Sequence, residues 1–136
     1  MNDTLTFSIL GEPVAKGRPK ITTFKGFARA YTPIKTRNAE ADVRSQIIAQ
    51  LPKGHKPFTY PVSIKLTIMR AKPKSASKKV TEPITRPDLD NYIKLYLDAM
   101  NTIVFSDDAL IVDITARKKF AVCGAGAHIE VTEVRI

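Results

Sequence analysis

Leu5, Phe7 and Ile9 alternate with Thr4, Thr6 and Ser8, the period expected of a strand with one buried face. Gly11-Glu12-Pro13 ends that run. Farther along, Val62, Ile64, Leu66 and Ile68 alternate with Ser63, Lys65, Thr67 and Met69 and predict a second strand. Between them, Ala39, Val43, Ile47 and Leu51 recur at helical spacing. Thr32 as N-cap and Pro33 as first helical residue open this helix, and Pro52 and Gly54 stop it. A second helix is expected over 90–102, with Ile93, Leu97, Met100 and Val104 as its buried stripe. Two further strands, over 109–119 and 127–134, are joined by a Gly124-Ala125-Gly126 turn. The order β-α-β-α-β-β predicts an α+β fold, a mixed sheet with both helices packed on it. At 136 residues, the chain suits a single domain spanning 1–136.

The stretches without apolar period are basic. Residues 14–31 carry Lys16, Arg18, Lys20, Lys25 and Arg29 among Gly17, Pro19 and Gly26, which reads as a long basic loop with room for a short hairpin around Lys25-Gly26. Residues 72–79, with Lys72, Lys74, Lys78 and Lys79, read as a mobile basic loop.

Charge changes the picture more than composition does. Lys plus Arg number 22 against 13 Asp plus Glu, a formal +9, and such an excess points to a polyanionic partner, nucleic acid first. A lone cysteine, Cys123, allows no internal disulfide. With only His55 and His128 beside it, a structural zinc site is ruled out. No apolar run reaches the ~18 residues of a membrane span, and the N-terminus lacks the regions of a signal peptide. The expectation is a soluble cytoplasmic protein with no membrane partner.

The two signs are segregated. Between Pro13 and Lys79 sixteen Lys or Arg face only Glu40 and Asp42, a local excess of +14. Between Arg86 and Asp113 six acids, Asp88, Asp90, Asp98, Asp107, Asp108 and Asp113, face Arg86 and Lys94, a local −4. Carboxylates placed beside a phosphate backbone repel it unless a divalent cation stands between them. Hard cations such as Mg²⁺ prefer carboxylate oxygens, polarise phosphates and activate water. Acids within a cationic surface therefore point to metal-assisted phosphodiester hydrolysis.

In Arg86-Pro87-Asp88-Leu89-Asp90-Asn91, an extended chain would send Asp88 and Asp90 to one side. Asp90 also suits a helix N-cap, where the dipole favours a carboxylate. At ~100° per residue, Lys94 lies about 40° round the helix from Asp90, and Asp98 about 80°. Asp107 and Asp108 come after the helix, which at ~15–22 Å carries them to its far end unless the chain folds back. Blander readings stand beside these. Asp90 as a cap is worth ~1 kcal/mol, Lys94 as an i,i+4 partner of Asp90 or Asp98 ~0.3 kcal/mol, and Asp107-Asp108 make an ordinary solvated turn.

The string Arg86-Pro-Asp88-Leu-Asp90-Asn91-x-x-Lys94-x-x-x-Asp98-Ala99, followed by Phe105-Ser-Asp107-Asp108-Ala109-x-x-Val112-Asp113, resembles the RusA-type Holliday junction resolvases. Gly11-x-Pro13-x-x-Lys16-x-Arg18-Pro19 and Tyr31-Thr32-Pro33 are similar to the versions found in Gram-positive bacteria and phages. The resemblance implies a homodimeric, Mg²⁺-dependent endonuclease that nicks four-way DNA junctions in symmetric pairs, acting in recombination and repair. It places the essential acids on Asp88, Asp90 and Asp108, which converge on one metal site, and the essential lysine on Lys94. On this reading Asp88, Asp90 and Asp108 are the metal ligands, and Lys16, Arg18, Lys20, Arg29, Lys72 and Lys74 hold flanking DNA backbone.

The rival is a non-catalytic basic nucleic-acid-binding module, whose acids only cap helices and pair with lysines. Two other readings fail. Gly11 and Gly17 are spaced one residue too far for a phosphate loop, and Arg18-Pro19 replaces its Gly-Lys-Ser/Thr. Cys123 and His128 have no third group to orient them for thiol catalysis.

Overall fold

The computed structural model describes residues 3–17, 20–24, 26–31 and 33–135. β1 (Asp3–Leu10) leads to a ribbon of β2 (Lys20–Phe24) and β3 (Phe27–Tyr31), then α1 (Ile34–Gln50) and β4 (Val62–Arg70). α2 (Leu89–Met100), a single 3-10 turn at Asp108–Leu110, β5 (Ile111–Phe120) and β6 (Gly126–Glu133) complete the chain. The α+β architecture expected from the sequence is present: two helices and a four-stranded mixed sheet. No helix among the described residues is long and apolar enough to cross a membrane.

The strand order is β1-β6-β4-β5. β6 lies between β1 and β4, antiparallel to both, while β4 and β5 are parallel. The Gly124-Ala125-Gly126 connection is therefore not a hairpin turn. It carries the chain past the end of β4, where Ala121 N donates to Arg70 O at 2.8 Å. β6 must lie close to β1 here, since a Cβ on Gly126 would stand 2.3 Å from the Ile9 carbonyl oxygen.

One sheet face builds the core. Phe7 and Ile9, Val62, Ile64, Leu66 and Ile68, and Ala127, Ile129 and Val131 are buried against the helices. α1 contributes Val43 and Ile47, as its period predicted, with Ala39 and Leu51 packed at the margin. Its N-cap is Pro33 rather than Thr32, which lies outside the described residues. α2 departs further from the expected stripe. It buries Tyr92, Leu95, Tyr96, Ala99 and Met100, leaving Ile93 and Leu97 at the core edge. The tyrosine rings are large enough to outweigh their hydroxyls, so they take the central positions. Burial pushes both phenols up.

The short hairpin expected around Lys25-Gly26 is the β2–β3 ribbon, with Gly26 at φ 82°; Lys25 lies outside the described residues. The 72–79 segment has no strand or helix. It forms two turns, closed by Ala76 N to Pro73 O and Val80 N to Ser77 O, each 3.0 Å.

The two sheet edges are treated differently. Along β1, Gln50 accepts from Ser8 N at 2.9 Å and donates to Ser8 O at 2.8 Å. Gln46 does the same to Leu10, at 2.8 and 3.0 Å. These amides mimic a neighbouring strand and close the edge to strand addition. Among the described residues β5 has no such cover along its first half, where Val112 is 67% and Ile114 39% exposed.

At the opposite end, Glu133 is 1% exposed. It accepts from Thr59 N at 3.1 Å, Tyr60 N at 3.2 Å and Arg135 Nε at 2.8 Å. Burial alone would push its carboxyl up, but Arg135 and the two backbone donors outweigh burial and hold it below the usual glutamate value. A depressed folded pKa contributes stability that is present above the ordinary value of 4.5 and lost as pH falls through the folded value.

Two measurements check these points. Glu133→Gln should lose about 1–3 kcal/mol at neutral pH and show a shallower loss of stability on acidification, read by thermal unfolding across pH. Gln46→Ala combined with Gln50→Ala should uncover the β1 edge and produce concentration-dependent association in sedimentation beyond the oligomeric state of the parent chain.

Candidate functional site

α2 starts from a segment fastened by two cations. Arg70 Nη1, at the end of β4, donates to Thr85 O at 3.0 Å and Arg86 O at 3.3 Å. Lys118 Nζ, near the end of β5, donates to Thr85 O at 3.1 Å and Pro87 O at 2.9 Å. The Arg86–Pro87 peptide is cis. Asp88 is the N-cap, in extended conformation, and its carbonyl takes the Tyr92 N–H at 3.3 Å.

The helix thus begins one residue earlier than expected, so Asp90 stands in its first turn and not at the cap. Period-two alternation does not relate Asp88 to Asp90, because Leu89 is already helical. Neither carboxylate has a capping role: Asp88 makes no side-chain cap bond, and Asp90 has no hydrogen bond or ion pair among the described residues. Both are exposed. They stand at the positive end of the helix, which favours anions. Beside them runs a cleft of about 360 Å³ between Lys16-Gly17 and Arg86, Pro87, Asp88 and Asn91.

The other end of α2 is fastened to the start of β4. Val104 O accepts from Phe58 N, and Phe58 O from Ser106 N, each at 2.9 Å. Here Asp107 is spent locally, its carboxylate accepting from Ala109 N at 3.2 Å as cap of the 3-10 turn. Asp108 follows, exposed and without an internal side-chain partner among the described residues. Asp113 is also engaged, accepting from Ser63 Oγ at 3.0 Å.

Asp108 and the Asp88–Asp90 pair are therefore held apart. The 12 residues of α2 span about 18 Å. Along β5, the seven steps from Ile111 to Lys118, whose ammonium holds Pro87, span about 23 Å. Among the described residues no three carboxylates, imidazoles or thiolates of one chain form a metal-sized group. Within one chain α2 returns along the sheet and leaves Asp88 and Asp90 at one end and Asp108 at the other.

Lys94 is paired, its Nζ 3.2 Å from Asp98 Oδ1. Lys16, expected to hold DNA backbone, is also paired. Its ammonium binds Asp98 Oδ2, and Glu40 Oε1 at 3.3 Å. Burial alone would lower the Lys16 pKa, but Asp98 and Glu40 outweigh it and hold the amine above its ordinary value. Lys72 donates to Val80 O at 2.6 Å and stands 5.5 Å from the centre of the Phe120 ring, closing its own loop. Lys74 is exposed with no internal partner among the described residues. Lys20 and Arg29 lie on the β2–β3 ribbon, Arg29 opposite Thr22. Arg18 lies outside the described residues.

Sequence reasoning missed Arg70 and Lys118, which carry the segment before α2. Both stand within apolar-alternating strands, and only the parallel register Ile68↔Lys118 and Arg70↔Phe120 brings them to the same end of the sheet.

A sheet with helices on one face, a basic surface and spare acids at a helix start is an arrangement suited to a nuclease. Residues 11–132 match the endodeoxyribonuclease RusA family. The chain belongs to that family. It is also similar to the uncharacterized protein YqaN of Bacillus subtilis (strain 168), with 33% identity over 132 residues, covering 88% of this chain and 89% of that protein.

Proposed function

We propose that the protein is a Mg²⁺-dependent endonuclease acting as a homodimer on four-way DNA junctions. The observation that carries this is the division of the acids: Asp98, Asp107 and Asp113 are bonded internally, whereas Asp88, Asp90 and Asp108 are exposed with spare carboxylates. Among the described residues these three exposed carboxylates make no side-chain hydrogen bond or ion pair, whereas every other exposed acid has a partner, and they coincide with the acids that the family resemblance marks as essential.

Asp88 and Asp90 supply the one or two carboxylates on which Mg²⁺ commonly rests together with waters and phosphate, and the family resemblance adds Asp108 to them. A second chain supplies the third. The β5 edge is open and carries Val112 and Ile114 exposed, while the β1 edge is closed by glutamines. Two-fold pairing along β5 runs the strands antiparallel. It thereby directs Asp108 of the partner subunit, at the start of its strand, toward the end of β5 where Lys118 holds the entry to α2. Each site then consists of Asp88 and Asp90 from one chain and Asp108 of the partner subunit. Two such sites match the approximate two-fold symmetry of a four-way junction.

When bound, the ion supplies charge on the scissile phosphate and lowers the pKa of a nearby water. The remaining work belongs to the chain. Lys94 offsets charge building on the phosphate. Lys20, Arg29 and Lys74 bind flanking backbone with little base readout, and Arg70 and Lys118 fix the segment that carries Asp88. Membership of an endodeoxyribonuclease family fits a cytoplasmic role in recombination and repair.

Three outcomes test the reading with a synthetic junction and a linear duplex. Asp88→Asn should abolish Mg²⁺-dependent nicking of the junction while gel-shift binding survives; binding without nicking by the parent chain would instead leave a non-catalytic DNA-binding module. Mixing Asp88→Asn with Asp108→Asn chains should restore single nicks, because the mixed dimer keeps one intact composite site; no recovery after verified subunit exchange refutes the shared site. Lys74→Ala should reduce the slope of log K against log salt by about 0.9, the loss of one phosphate contact.

A further inference from the structure

The charged cluster around Asp98 has no part in ligating metal, yet it joins three segments of the chain. The Asp98 side chain is 18% exposed. Its Oδ2 binds Lys16 and its Oδ1 binds Lys94 at 3.2 Å. Lys16 is itself anchored twice more, through Glu40 on α1 at 3.3 Å and through its backbone N–H to Asn91 O at 2.9 Å. Asp98 is therefore a fixed anion, partly withdrawn from water and held from the inner side.

Lys94 is the outer member, its side chain 55% exposed. On α2 it stands four residues after Asp90 and four before Asp98, within helical reach of both. Two carboxylates thus compete for one ammonium. Only Asp98 bonds it, and the competition has a physical bias. A carboxylate already fixed by a second cation needs no further ordering to receive Lys94, whereas exposed Asp90 would lose side-chain freedom and hydration. If Lys94 bonded Asp90 instead, it would neutralise a proposed metal ligand and withdraw its own charge from the phosphate.

We propose that Asp98 is a positioning residue: clamped by Lys16, it holds Lys94 toward the C-terminal side of α2 and so keeps Asp90 free for the cation. The inference rests on the nuclease reading, and it assigns a role to Asp98 and Lys16 that contact with metal or DNA does not require. Lys16 acts through Asp98, and Asp98 acts through Lys94.

The experiment measures Mn²⁺ affinity of the intact protein by calorimetry, and kcat and KM for junction nicking. Asp98→Asn should weaken Mn²⁺ binding about tenfold and lower kcat with KM unchanged, because Lys94 moves onto Asp90. Adding Lys94→Ala to Asp98→Asn should restore Mn²⁺ affinity to the parent value, which a merely structural lesion would not do. Asp98→Glu, retaining the carboxylate, should recover most of both quantities. Parent-like Mn²⁺ affinity in Asp98→Asn, or weakened affinity that persists in the double variant, overturns the positioning role alone. A parent chain that neither binds Mn²⁺ nor nicks junctions overturns the nuclease reading itself.

Discussion

β4 and β5 are parallel neighbours, and two such strands can be joined only by a chain that travels back along the sheet. α2 makes that return journey. Its start is fastened to the ends of β4 and β5 by Arg70 and Lys118, and its end to the approach to β4 through Phe58 and Val104. The direction of the helix is fixed by these anchors and by the buried Tyr92, Leu95, Tyr96, Ala99 and Met100. Everything the acids can do follows from this. Residues close in sequence, such as Asp98 and Asp107, are separated by the helix end, and Asp88 and Asp108 stand a helix length apart. In the proposed site Asp108 would join Asp88 and Asp90 from a second chain.

The same constraint gives the open edge a use. A mixed sheet has two edge strands, and each is a hazard unless covered. α1 covers β1 with two glutamine amides placed one helical turn apart, matched to Ser8 and Leu10 two residues apart on the strand. Among the described residues no side chain plays this part along the first half of β5, where Val112 and Ile114 are exposed. The homodimer proposed above would use this edge: a two-fold axis beside β5 would cover the exposed strand and bring Asp108 of the partner subunit toward Asp88 and Asp90.

Much of the architecture was legible in the sequence because strand and helix periods are local. Phe7 and Ile9, the Val62–Ile68 alternation and the Val43–Ile47 pair read correctly because each reports burial on one face of one element. The α2 stripe was misread where size and polarity disagree, since Tyr92 and Tyr96 look amphipathic in sequence yet fill the core. The Gly124–Gly126 connection was misread for a different reason. Its glycines announce a reversal but carry no information on which strand receives the returning chain, and β6 bypasses β5 to lie against β4 and β1. The acids were legible as a group through their contrast with the basic surroundings. Their separation was not, because it depends on the parallel β4–β5 register.

Charge satisfaction in the folded chain sorts what charge counting alone cannot. Six acids between Arg86 and Asp113 look alike in sequence. In the structure three of them have work inside the molecule: Asp98 binds two lysines, Asp107 caps the 3-10 turn and Asp113 takes the Ser63 hydroxyl. The lysines divide in the same way, with Lys16, Lys72 and Lys118 bonded internally and Lys74 free of such a bond among the described residues. An internal bond fixes a side chain's direction and lowers its availability to a ligand; a spare charge keeps both open. Lys94 sits at the boundary between the two classes, bonded yet more than half exposed. That intermediate standing suits a cation that must be held in place before the substrate arrives and surrendered to a phosphate when it does.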